Sequence, residues 1–118
     1  MIYTIENEAL KVQISDRGAE MMSIQTKDGT EYLWQGDEKY WGDRALNLFP
    51  YIARMTEGKY TLDGQTYSMD IHGFVKGSVL TAEAQAADRI TLKLTQNRET
   101  LDQYPFDFVY RIRYELEG

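Results

Sequence analysis

Apolar and polar residues alternate along most of this chain. Leu10, Val12 and Ile14 are separated by Lys11 and Gln13, and Ile90, Leu92 and Leu94 by Thr91 and Lys93. The longest run sets Phe106, Phe108, Tyr110, Ile112, Tyr114 and Leu116 against Asp107, Arg111, Arg113 and Glu115. A period of two puts one set of side chains on a buried face and the other in solvent, which predicts antiparallel strands with one wet face. Turn residues fall between the runs. Asp16-Arg17-Gly18 separates the first run from Ala19–Thr26, Asp28-Gly29 precedes Glu31–Trp34, and Ala87-Asp88 separates Val79–Gln85 from Arg89–Thr95. The strongest hairpin signal is Asp63-Gly64 between Lys59–Leu62 and Gln65–Met69, because both central residues of such a turn need positive φ. Only Glu99–Gln103 reads as a helical turn. The expected fold is an all-β, antiparallel β-sandwich of many short strands, one domain over residues 1–118.

Composition narrows the partners. Hydrophobic residues make up 42% and charged residues 27%, an ordinary globular balance. The net charge of −6 argues against nucleic acid, which calls for clustered Lys and Arg, and more weakly against an anionic membrane surface. A neutral small molecule fits the charge. There is no cysteine, hence no disulfide, thiol nucleophile or Cys-bound metal. Met1 to Leu10 carries Glu6 and Glu8 and no long apolar stretch, so it reads as neither signal peptide nor membrane helix, and a cytoplasmic protein is the simplest expectation. No phosphate-binding or dinucleotide-binding motif occurs, and no cofactor is expected. The last alternating run reaches Glu117-Gly118 with no closing turn. The expectation is therefore that residues 1–118 are the amino-terminal part of a longer domain, and open sheet edges offer a route to self-association.

Two long irregular stretches stand out, Gln35–Asp43 and Asp70–Gly77. Loops on a rigid sheet scaffold often carry function. The second holds His72, the only histidine, followed by Gly73, which permits close backbone approach or an unusual turn. Its bland reading is a loop histidine tied to a backbone carbonyl. One histidine with Asp70 nearby supplies too few ligands for a metal. Arg54 follows Leu48-Phe49-Pro50-Tyr51-Ile52-Ala53, an apolar setting in which a guanidinium needs partners. Its planar fork can grip two adjacent hydroxyls or pair structurally with Glu57, and local sequence leaves both open. Arg17 and Arg44 read as solvent-facing. Trp34, Tyr40 and Trp41 could stack on a sugar ring or lie under a loop. For Trp34, inside a strand-like pattern, the core reading is favoured.

The order of the short motifs says more than any one of them. Tyr3-Thr4-Ile5-Glu6-Asn7 is followed by Arg17-Gly18-Ala19-Glu20, Glu31-Tyr32-Leu33-Trp34-Gln35-Gly36 and Tyr40-Trp41. Then come Leu48-Phe49-Pro50 with Arg54, Gly58-Lys59-Tyr60, the Asp63-Gly64 hairpin, His72-Gly73-Phe74 and Tyr104-Pro105-Phe106. This series resembles the aldose 1-epimerase (galactose mutarotase) family, in particular its LacX-like branch, over nearly the full chain. The resemblance implies a large antiparallel supersandwich and interconversion of the α and β anomers of free hexoses. It implies that Arg54 contacts sugar hydroxyls and that His72 helps hold the sugar near its ring oxygen. Ala53 stands where other members carry Asn, and Phe74 where they often carry a second Gly. The family's general acid, a second histidine, and its general base, a glutamate, fall downstream of this region, so His72 is at most an auxiliary catalytic group. The rival readings are a non-catalytic carbohydrate-binding β-sandwich, an epimerase of hexose 6-phosphates drawing on Arg44, Arg54 and Lys76, and a domain used only for assembly.

Overall fold

The structure is a computed structural model describing residues 1–118. Three strands, β1 (Ile2–Glu6), β2 (Leu10–Ser15) and β3 (Met21–Thr26), form an antiparallel sheet in that order. A two-stranded hairpin, β4 (Lys59–Leu62) and β5 (Gln65–Ser68), follows. A second three-stranded antiparallel sheet contains β6 (Thr81–Gln85), β7 (Arg89–Thr95) and β8 (Val109–Glu115). Between β7 and β8 lies the one α-helix, α1 (Arg98–Gln103). Asn97 caps it: its side chain accepts from the Thr100 N–H while the Thr100 hydroxyl accepts from the Asn97 N–H, each at 2.9 Å. No helix is long and apolar enough to cross a membrane.

The two larger sheets bury their apolar faces together. Ile5, Val12 and Ile14 from the first meet Ile90, Leu92 and Leu94 from the second, with Phe74, Val75 and Leu80 filling the seam. Along β7 burial alternates residue by residue, as period-two patterning requires. The turn between β2 and β3 is also joined to the segment leading into β6 by backbone hydrogen bonds, from Gly18 N–H to Ser78 O at 2.7 Å and from Leu80 N–H to Asp16 O at 2.8 Å. The all-β, antiparallel sandwich read from the sequence is what forms. The Asp63-Gly64 turn has φ of 50° and 79° at its two residues, the left-handed pair that a tight hairpin requires.

Three expectations are corrected. Glu31–Trp34 is not a strand; only an isolated bridge, Gln25 to Glu31, forms there. The Glu31 carboxylate accepts hydrogen bonds from Ser23 Oγ, from the backbone N–H groups of Ile24 (2.8 Å) and Leu33 (3.0 Å), and from Gln25 Nε2 (3.4 Å). A side chain that takes over backbone donors in this way displaces the ladder. In consequence Trp34 lies 42% exposed instead of in the core. Phe106 does not join the buried set of the last run either. It precedes the first residue of β8 and packs edge-on against Tyr104 at 5.0 Å, half in solvent.

Glu31 makes acid stability depend on this cluster. Burial alone would raise its pKa, but the donors from Ser23, Ile24, Leu33 and Gln25 outweigh that and lower it from 4.5 to about 2. A depressed carboxylate pKa stabilises the fold fully above the unfolded value of 4.5, and that contribution disappears as pH falls through about 2. Glu31→Gln is therefore expected to flatten the acid limb of stability across this window. The wild-type advantage, on the order of 2 kcal/mol after solvent screening, should shrink between pH 5 and pH 2 when urea midpoints are compared. Parallel acid limbs in the two proteins would show that the cluster is not the titrating element.

Candidate functional site

The segment that carries Arg54 is anchored upstream at Asn47. Its side-chain amide donates to Gly18 O and Ala19 O, each at 2.9 Å, and to the Tyr114 hydroxyl at 3.1 Å. That hydroxyl in turn donates to Ala19 O at 2.7 Å, so Asn47 links the β2–β3 turn to β8. Burial, partly offset by the Asn47 bond, raises the Tyr114 pKa, which keeps the hydroxyl a donor. Phe49 comes next and sits in an aromatic cluster, with ring centroids 5.0 Å from Tyr110, 5.4 Å from Phe108 and 6.1 Å from Phe74. The Phe49-Pro50 peptide is cis.

The histidine loop docks on this anchored segment through its backbone. Phe49 O accepts from the N–H groups of Phe74 at 3.0 Å and Val75 at 3.4 Å. Gly73, with φ of +78°, packs so tightly that a Cβ there would lie 2.1 Å from Phe49 O. The close approach foreseen for this glycine is thus to the protein's own backbone. Next to it, His72 and Ala53 form a reciprocal pair. The His72 N–H donates to Ala53 O at 3.0 Å, and the Ala53 N–H donates to His72 Nδ1 at 2.9 Å. The imidazole is therefore tied to a backbone amide, where the bland sequence reading had a carbonyl. An Nδ1 that accepts carries no proton, so the neutral ring bears its proton on Nε2 and presents a donor.

Ala53 and His72 both adopt left-handed backbone, with φ of 79° and 65°. Such conformations are uncommon for residues other than Gly and Asn, and they mark sites held by their surroundings. Asn, the residue the family resemblance has in place of Ala53, enters this region more easily than alanine.

Arg54 follows Ala53 directly, so the clamp brings its backbone beside His72. The side chain is exposed. The ion pairs of the chain are Met1–Asp16, Lys27–Glu6, Lys93–Glu83, Arg111–Glu83 and Arg113–Glu115, and none includes Arg54. The expected need for a partner does not arise, because the apolar neighbours Tyr51 and Ile52 are themselves exposed. No surface depression is lined by Arg54 or His72. Arg54 is exposed with a guanidinium in no ion pair, and His72 is a half-buried, oriented imidazole donor.

Arg44 is corrected. It is half-buried, and its guanidinium donates to Gln35 O at 3.0 Å and contacts Met22 Sδ at 3.6 Å. Arg17 is exposed, as read. Sequence reasoning missed the structural carboxylates Glu20 and Glu31 and the anchor Asn47. All three act on backbone groups that are remote in sequence or on displaced ladder donors, which no local pattern encodes.

The sequence pattern of the aldose 1-epimerase family matches residues 1–118. Protein LacX (plasmid) of Lactococcus lactis subsp. lactis is 35% identical over 123 residues, covering 100% of this chain and 41% of LacX. A galactose mutarotase related enzyme from Lactobacillus acidophilus superposes with a TM-score of 0.97 at 40% identity, over 99% of this chain and 39% of that one. A galactose mutarotase-like protein from Lactobacillus casei ATCC 334 gives a TM-score of 0.95 at 36% identity, over 99% of this chain and 40% of that one. The chain spans about two-fifths of the length of the curated relatives it matches. A match along the whole chain, with sequence and sandwich in agreement, means that it belongs to the aldose 1-epimerase family.

Proposed function

We propose that this chain supplies part of the sugar-holding surface of a protein that interconverts the α and β anomers of free hexoses. The observation that carries the reading is the reciprocal Ala53–His72 clamp, which fixes an imidazole N–H donor next to the backbone that carries Arg54, a guanidinium in no ion pair. Family membership supports the substrate class.

The chemistry defines what each residue does. Mutarotation opens a cyclic hemiacetal and recloses it on the other face. A base removes the proton of the anomeric hydroxyl while an acid protonates the ring oxygen. His72 offers Nε2–H with Nδ1 already engaged, so it is suited to donate towards a sugar oxygen and unsuited to remove a proton. Arg54 can fork onto two adjacent hydroxyls. Neither residue is assigned the base or the acid, and no other side chain in this chain is assigned either role. Hexose 6-phosphates are a poorer fit, because Arg44 is already engaged by Gln35.

The single histidine makes the test direct. Its imidazole Cε1–H and Cδ2–H resonances have no counterparts elsewhere in the chain and are followed while methyl β-galactoside or methyl β-glucoside is added. A saturable shift is expected, and a resonance that does not move up to the solubility limit of both sugars would remove the sugar-holding role. Polarimetry on freshly dissolved α-glucose or α-galactose reads the second half of the proposal. This chain is expected to bind without accelerating anomer exchange, and clear catalysis would show that it contains its own proton-transfer groups.

A further inference from the structure

We propose that the loop from Trp34 to Arg44 is a preorganised aromatic platform that stacks on the C–H face of a pyranose ring. It would be a sugar contact additional to Arg54 and His72, and it rests on the sugar-binding reading above. Three large aromatic residues in this loop face solvent: Trp34 is 42% exposed, Tyr40 71% and Trp41 51%. Scattered exposed apolar residues need no explanation, but a contiguous set marks an interaction site.

These aromatics are held in place. The Trp34 indole N–H donates to Trp41 O at 2.7 Å, and the Trp34 and Tyr40 rings meet edge to face at 6.2 Å. The N–H groups of Tyr40 and Trp41 both donate to Asp37 O at 2.9 Å, and Lys39 N–H donates to Asp37 Oδ1 at 3.0 Å. Gly36, at φ +71°, lets the two arms of the loop close, since a Cβ there would lie 2.7 Å from Gly42 O. The ends are fastened as well. Gln35 Nε2 donates to Met22 O at 3.0 Å, and Glu20 accepts from the N–H groups of Arg44 at 3.0 Å and Ala45 at 3.1 Å. The Arg44 guanidinium on Gln35 O closes the neck. An exposed loop with this many backbone bonds has already lost much of the backbone freedom that ligand binding would otherwise remove.

The surroundings choose the ligand. With the Trp34 N–H bonded internally, that indole has no polar edge to offer, so the recognition left to it is through the ring faces. Lys39 Nζ sits 5.5 Å from the Tyr40 ring centre and covers one of its faces. Asp37, Glu38 and Asp43 give the loop an acidic rim, and Arg44 is engaged. An anionic ligand is disfavoured there, and a purely apolar one would make no use of the rim carboxylates. A neutral ring with a C–H face and a hydroxyl edge satisfies both: aromatic faces meet the C–H bonds and carboxylates accept from hydroxyls.

The chain contains only two tryptophans, Trp34 and Trp41, so tryptophan emission reports on this loop alone. Titration with methyl β-galactoside or methyl β-glucoside is expected to change that emission saturably, with the same dissociation constant as the His72 imidazole shift. Tyr40→Ala keeps both reporters and should weaken binding about tenfold, and Tyr40→Phe should restore it. Both variants should keep the wild-type urea midpoint, because Tyr40 is exposed. If Tyr40→Ala and Trp41→Ala leave the affinity read at His72 unchanged, the platform is overturned while the Arg54–His72 reading stands. In the wild-type chain, a saturable emission change with His72 silent supports the platform and removes the other site. If neither probe responds to either sugar, both fall.

Discussion

Gly73→Ala is expected to be the most damaging single substitution in the chain, costing about 4 kcal/mol or more. A chain of this length is stabilised by roughly 6–18 kcal/mol in total, so the loss would be a large share of the whole. The reason is steric. A Cβ at Gly73 would lie 2.1 Å from Phe49 O, 2.5 Å from Phe49 C and 2.7 Å from Pro50 N. All three are backbone atoms, and Phe49 is fixed by its ring packing against Phe74, Phe108 and Tyr110. Neither side can yield without releasing the Phe49 carbonyl from the N–H groups of Phe74 and Val75. Gly64→Ala is the matched control. Gly64 has nearly the same φ, +79° against +78°, but nothing lies within 4 Å of its Cβ position. It should cost only the left-handed penalty of about 1 kcal/mol. Urea midpoints of the two variants separate strain from clash, and equal losses would sink the packing argument. Gly73→Ala should also move the His72 imidazole resonance, since the displaced residue is its neighbour.

The sandwich was legible because burial and periodicity coincide. In β7 the Ile90, Leu92 and Leu94 positions are the buried ones, as alternation demands. Asp63-Gly64 announced its hairpin through the backbone freedom the turn needs. Legibility failed where side chains act on the backbone. Tyr32 and Trp34 alternate with Glu31 and Leu33 much as strand residues would, yet the Glu31 carboxylate takes the N–H groups of Ile24 and Leu33 and no strand propagates. The same applies to Arg44, which looks like a solvent-facing cation in a polar stretch until its contact with Gln35 O is known. The candidate site was visible only as an order of motifs. Ala53 and His72 are 19 residues apart, and what joins them is a pair of left-handed backbones. No periodicity carries that information, whereas the recurrence of Arg54 and His72-Gly73 in a fixed series does.

Arg54→Ala should separate binding from folding more cleanly than any other change at the site. The side chain is exposed and belongs to no ion pair, so its removal is expected to leave the urea midpoint within about 0.5 kcal/mol of wild type. Sugar affinity, read at the His72 resonance, should fall about 10- to 100-fold, the loss expected when hydrogen bonds from a charged donor are removed. Arg54→Lys should recover only part of this, because an ammonium cannot fork onto two adjacent hydroxyls. His72→Ala differs in kind. It removes the acceptor of the Ala53 N–H along with the Nε2 donor, so affinity, read for this variant by titration calorimetry, and stability should fall together. The contrast is decisive for the role of the arginine. Full recovery by lysine would reduce Arg54 to a point charge. A lowered midpoint in Arg54→Ala with unchanged affinity would make it a structural residue, the alternative that the local sequence had left open through Glu57.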